Sequence, residues 1–254
     1  MVGLFVLATA TTATIPQAWA DVTIQNDRAY IGHDGSLHIV GEVSNNLEVP
    51  LGRVSVEATI YDVHGKELLT AEGWSLVNTI MPGMKGPFDI VVYKPGMGDM
   101  GGYTLAAKYS IHAPKSQVID VTSAELRRSS QGDLFITGTV VNRGEITANM
   151  ISVVATIYDR DGKVATVART QSELDHLRAE HQGVFVLSVP EKDQTSEIAH
   201  YTLVAESEEY AAVPEFPLST SLILAISLAA YIMLNRHPAM SGITKTPDAE
   251  RYPL

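Results

Sequence analysis

Four methionines, two histidines and one acidic turn are the residues whose types and spacing point to chemistry. Met81 and Met84 bracket a Pro-Gly, and Met97 and Met100 lie in Gly-Met-Gly-Asp-Met-Gly. Paired thioethers suit Cu(I). Residues 86–93 between the pairs read as a strand, and at ~3.3 Å per residue a strand of that length carries the chain ~25 Å. The pairs therefore fall at opposite ends of one module, and flexible apolar filling is the simpler expectation. His176 and His181 flank Glu180 at a spacing of five, which is not the His-Glu-x-x-His zinc helix. A solvated loop is expected there, with copper as the alternative. Asp159-Arg160-Asp161-Gly162 opens like a calcium loop but lacks the later Asp and the terminal Glu, so it reads as a hairpin turn. There is no cysteine, which removes thiolate metal sites and Cys nucleophiles. No Gly-x-Ser-x-Gly, phosphate-loop or dinucleotide glycine pattern occurs. The expectation is no catalytic residue, no cofactor and no bound metal.

The elements that would carry these residues repeat. Leu37-His38-Ile39-Val40-Gly41-Glu42-Val43-Ser44-Asn45 answers to Leu134-Phe135-Ile136-Thr137-Gly138-Thr139-Val140-Val141-Asn142. Ser55-Val56-Glu57-Ala58-Thr59-Ile60-Tyr61-Asp62 answers to Ser152-Val153-Val154-Ala155-Thr156-Ile157-Tyr158-Asp159. The offset is 97 from Gly41/Gly138 through Phe88/Phe185, and 98 at Tyr103/Tyr201. Internal repeats decide the architecture before any finer reading. Within each copy the apolar period is two: Leu37, Ile39, Gly41 and Val43 face one way, as do Val54, Val56, Ala58 and Ile60. That is the pattern of half-buried antiparallel strands. Gly65 and Gly162 close tight turns. Six or seven short strands per copy predict an all-β fold of two tandem immunoglobulin-like β-sandwiches, over residues 21–113 and 117–212. The linker His112-Ala113-Pro114-Lys115-Ser116 is short and holds a proline, so a stiff rod of two modules is expected.

Gly-x-Val-x-Asn, then Ala-Thr-Ile-Tyr-Asp and Gly-Lys, resembles the FxLYD family of small β-sandwich modules in exported prokaryotic proteins. Ala58 and Ala155 stand where the family name has Phe, and Ile60 and Ile157 where it has Leu. The resemblance implies architecture and location rather than an activity.

The two ends read as addresses. Residues 1–20 carry no charged side chain, and Ala18-Trp19-Ala20 before Asp21 has the form of a signal-peptide cleavage site, at Ala18 and Ala20. Residues 218–235 lie in an uncharged apolar stretch that begins at Phe216, long enough as a helix to span a bilayer of ~30 Å. Arg236 follows, then a polar tail over 236–254. Residues 213–217 hold Pro214, Glu215 and Phe216. That motif before an apolar helix resembles the PEF-CTERM and PEFG-type sorting segments of archaeal surface proteins, which implies processing by an archaeosortase and a membrane or lipid anchor.

Net charge is −11, which argues against a nucleic-acid face. The leading expectation is a cell-surface anchored structural, adhesion or partner-binding protein, not an enzyme. Its β domains would lie outside the cell, among other surface proteins. The alternative is a membrane-tethered accessory or copper-binding subunit of a surface complex, using Met81, Met84, Met97, Met100 or His176, His181. An enzyme of unassigned type is a third.

Overall fold

The computed structural model describes residues 21–93, 100–130, 132–171, 175–190, 194 and 198–213. Among them the fold is all-β. Strand pairing follows the repeat. In copy 1, β1 (Val22–Ile31), β2 (Leu37–Asn45) and β6 (Lys85–Val92) form one sheet in the order β1-β2-β6. It faces a sheet of β4 (Glu67–Trp74), β3 (Leu51–Asp62) and β5 (Thr79–Ile80), with β7 (Met100–Ile111) also paired to β3. In copy 2, β8 (Ile119–Arg128), β9 (Leu134–Asn142) and β14 (Gln182–Val189) form a sheet ordered β14-β9-β8. Opposite it stand β11 (Ser152–Tyr158), β12 (Val164–Gln171) and β15 (His200–Glu206), ordered β12-β11-β15. A two-stranded ribbon joins β10 (Ala148–Asn149) to β13 (His176–Leu177).

The period-two reading placed the inward residues correctly. Ile39, Val56, Ala58, Ile60 and Phe88 are fully buried in copy 1, as are Ile136, Val153, Ala155 and Ile157 in copy 2. The strongest repeated signature has a packing cause. Gly41 pairs with Phe88 and Gly138 with Phe185 across the sheet. A Cβ on Gly41 would lie 2.8 Å from the Phe88 ring, and one on Gly138 would lie 2.2 Å from the Ser123 carbonyl oxygen. Each glycine lets a ring and a bulged neighbouring strand close over the backbone.

The outward faces depart from the expected half-burial. In β11 every residue is buried, and in β2 only His38 is not. The cause is a second burial surface. Tyr30 and Val40 of copy 1 pack with Tyr158, Val164 and Val167 of copy 2, and Val154 and Val204 join the copy 1 core cluster. The β1-β2-β6 face of copy 1 thus lies against the β12-β11-β15 face of copy 2. The linker reading located stiffness in a proline; the copies are also joined through these sheet faces. Glu42, fully buried, is satisfied at this seam by the Tyr158 hydroxyl at 2.5 Å, Asn26 at 2.9 Å and the Lys85 ammonium at 3.2 Å. The Arg28 guanidinium reaches Asp159 Oδ2 at 3.2 Å.

Residues 1–20, with Ala18 and Ala20, lie outside the described residues, as do Pro214, Glu215, Phe216 and segment 218–235. Among the described residues no helix is long and apolar enough to cross a membrane.

Candidate functional site

The side chains singled out by the sequence are mostly absorbed by structure. β5 pairs with Leu51 at one end of β3 and Met100 with Asp62 at the other, so Met81 and Met84, just after β5, are a strand length from Met100. Met84 is buried, and its sulfur accepts a hydrogen bond from Gln117 Nε2 at 3.0 Å. Met81 and Met100 pack against the copy 1 core. Met97 lies outside the described residues. His176 is an exposed member of β13, and the His181 ring is 3.0 Å from the Ala179 carbonyl oxygen. Asp159 Oδ1 accepts the amides of Asp161 and Lys163 at 3.0 and 2.9 Å, as Asp62 accepts those of His64 and Lys66 in copy 1. These are Asx turns with glycine at positive φ, 79° at Gly65 and 76° at Gly162. Among the described residues no group of three or more His, Asp or Glu is arranged to hold a metal.

The fold also builds an arrangement the sequence did not announce. His38 Nδ1 lies 2.9 Å from Asp89 Oδ2 and its Nε2 3.0 Å from Ser36 Oγ. This is the order of a hydrolytic triad. Its chemistry is blocked at the serine. The Ser36 hydroxyl has one proton and donates it to Asp34 Oδ1 at 2.5 Å, and Ser36 is only 2% exposed. Copy 2 makes the same turn with Asp133, Phe135 and Val186 at the three positions. The trio therefore braces the β1–β2 turn. Tyr30 stacks on the His38 ring with centroids 5.0 Å apart, tying the brace to the seam.

Among the described residues, one concave surface lies beside the seam, and a second, of about 520 Å³, lies over Gly138 and Phe185 of copy 2. The groove beside the seam, of about 390 Å³, is lined by Arg53, Trp74, Val77, Asn78, His112 and Arg169, among others. Arg53 sits in a bulge of β3 with φ at 49°, and Met150 holds the same backbone in copy 2 with φ at 51°. The strain is therefore architecture, whereas the arginine upon it is particular to copy 1. The His112 ring covers Gly52, where a Cβ would lie 2.0 Å from it. Next to the groove, Glu206 Oε1 and Oε2 accept the Asn78 amide of the other copy at 2.9 and 3.0 Å. Burial pushes the Glu206 carboxyl up to about 7, outweighing the backbone amides and the Arg169 and Lys115 charges that favour ionisation. Arg169 lies 3.9 Å from it and donates to Ser152 Oγ at 3.1 Å.

Sequence reasoning missed this groove because its residues come from both copies. A signal was present in the differences between the repeats. Glu57, Glu67 and Thr70 of copy 1 become Val154, Val164 and Val167 in copy 2. Three polar slots turned to valine on one face mark a covered face.

No protein-family model matches the chain, and no curated protein matches it. Solved structures with some likeness include the exo-chitosanase CsxA of Amycolatopsis orientalis, at 10% identity and a TM-score of 0.29, covering 78% of this chain and 26% of that one. A β-glucuronidase from glycoside hydrolase family 2 shows 11% identity and a TM-score of 0.29 over 74% of this chain and 24% of its own. Bacteroides uniformis β-glucuronidase 2, as a calcium-binding mutant, shows 13% identity and a TM-score of 0.27 over 76% and 27%. This chain spans about a quarter of the length of each of these proteins, and overlap at these scores carries no inference about activity.

Proposed function

We propose that this chain is a non-catalytic surface protein, anchored by its C-terminal apolar helix, whose two immunoglobulin-like sandwiches act as one partner-binding body. The observation that carries the reading is the buried seam. Tyr30, Val40, Tyr158, Val164 and Val167 exclude water between two repeated modules, so loops and faces from both copies can meet a partner without an ordering cost. The hydrolase-like trio is committed to a turn, which further favours binding over turnover. The FxLYD-like repeats and the Pro214-Glu215-Phe216 segment before an uncharged stretch support display outside a membrane. The partners would be neighbouring surface proteins, and an archaeosortase is the processing partner that the terminal motif implies.

The test is labelling of intact cells with a membrane-impermeant amine crosslinker. Lys108 is 56% exposed on its side chain, so the body should be modified and joined to surface neighbours. A body that reacts only after lysis overturns external display.

A further inference from the structure

The groove beside the seam has an unbalanced donor inventory. Arg53 has no ion pair or side-chain hydrogen bond among the described residues, and the His112 ring and the Trp74 indole N–H have no acceptor there. Arg169 adds a second guanidinium, held by Ser152 and the buried Glu206. Trp74 is 58% exposed and offers a flat apolar face beside the two guanidinium groups. The chain as a whole carries −11, so two arginines around one tryptophan run against its average. Copy 2 has Met150 and Gln171 at the positions of Arg53 and Trp74, so the repeat itself does not require them.

Such a site offers two guanidinium groups, one of them without a partner among the described residues, and one stacking platform, with Ser75, Asn78 and the buried Glu206 as its neighbouring acceptors. Guanidinium groups bind carboxylate and sulfate bidentately. An exposed indole face takes the apolar face of a saturated ring or an aromatic. Both features belong to one ligand when anionic groups are borne on pyranose rings. We propose that the Arg53–Trp74–His112–Arg169 groove binds an acidic saccharide, with carboxylate or sulfate on the arginines and a sugar ring on Trp74. This rests on the reading of the body as a binding module and names the ligand class of its groove.

The test titrates full-length protein in detergent with a uronate hexasaccharide and a sulfated hexasaccharide, following tryptophan fluorescence and calorimetry. At least one should bind saturably with Kd below ~1 mM. Arg53→Asn keeps a residue that tolerates positive φ, and Trp74→Ala removes only an exposed ring. Each should weaken binding about tenfold or more, with an unchanged melting temperature showing that the fold is intact, and Trp74→Phe should retain more affinity than Trp74→Ala. The proposal is overturned if neither acidic hexasaccharide saturates. Equal binding of uncharged maltohexaose overturns it too, as does inorganic sulfate binding as tightly and indifferently to Trp74→Ala. Surface labelling that succeeds while both acidic hexasaccharides fail rejects the ligand alone. Loss of labelling rejects the surface reading independently of the titration.

Discussion

Asn45 and Asn142 show what a repeated polar residue does when it is buried. Each donates from its amide to one loop carbonyl and one carbonyl of a short strand, Val49 and Ile80 of β5 in copy 1 at 3.0 and 2.8 Å, Ile146 and Leu177 of β13 in copy 2 at 2.8 Å each. Each then accepts a backbone amide two residues on, from Leu47 at 3.0 Å and Gly144 at 2.8 Å. The asparagine of Gly-x-Val-x-Asn is thus a clamp between a loop and a short strand, and no aliphatic residue can replace it without orphaning three backbone groups. Glu206 is the other telling residue. Its carboxyl is held neutral longer in the fold than in the unfolded chain, where it ionises near 4.5. The folded state therefore keeps a proton that the unfolded state has already lost. The stability this proton confers is complete below pH 4.5 and drains away as pH rises to about 7. The loss amounts to about 3 kcal/mol. Chemical denaturation of wild type and Glu206→Gln across that window should show the extra slope in wild type only. Parallel curves would mean that burial does not govern this carboxyl.

At the scale of the strand, glycine placement sets how closely the sheets approach. The two repeated glycines are not equivalent in tolerance. A methyl on Gly41 meets the Phe88 ring and Asp27 Cβ, at 2.8 and 3.0 Å, and a ring can rotate or shift. A methyl on Gly138 meets a backbone carbonyl at 2.2 Å as well as Phe185 at 2.7 Å, and a backbone cannot yield without breaking its ladder. Gly138→Ala should therefore cost about 3 kcal/mol and Gly41→Ala about 1–2 kcal/mol. Thermal unfolding of the two variants checks the order, and a reversed order would mean that the β8 bulge at Ser123 is more pliant than its pairing suggests. The same strand-level view explains the bulges themselves. Arg53 and Met150 hold positive φ at matching positions, so the kink is a property of the module and only its side chain is free to vary.

At the scale of the whole molecule, the faces of the two copies are chemically sorted. The buried face of copy 2 carries Val154, Val164 and Val167 where the outer face of copy 1 has Glu57, Glu67 and Thr70. Conversely, Tyr30 and Val40 on the buried face of copy 1 become Arg127 and Thr137 in copy 2. Stacked repeats need polar outer faces at their ends to stay soluble. Copying one of these differences across should undo the seam. Val154→Glu places in the seam the charge that copy 1 carries harmlessly on its outer face, at a cost on the order of 3 kcal/mol. Calorimetry of wild type should give one cooperative transition for the body, and Val154→Glu should lower it or split it in two. A wild-type profile already split into two independent transitions would show that the seam does not couple the copies.

Much of the module was legible in the residues themselves. The duplication, the inward sets from Leu37 to Val43 and from Val54 to Ile60, and the turns at Gly65 and Gly162 follow from side-chain period and backbone chirality, which are local properties. The reading of Asp159-Arg160-Asp161-Gly162 as a turn rather than a calcium loop is also local, and the amides gathered by Asp159 agree with it. The seam, the turn brace of Ser36, His38 and Asp89, and the Arg53–Trp74 groove were decided only in three dimensions. Asp89 reaches His38 through a strand pairing whose register no single segment specifies. The groove joins residues 116 positions apart, from Arg53 to Arg169. A period of two tells which side chains leave a sheet on the same face. It cannot tell which of those faces another sheet will cover, because that depends on the fit between two surfaces rather than on the pattern of either one.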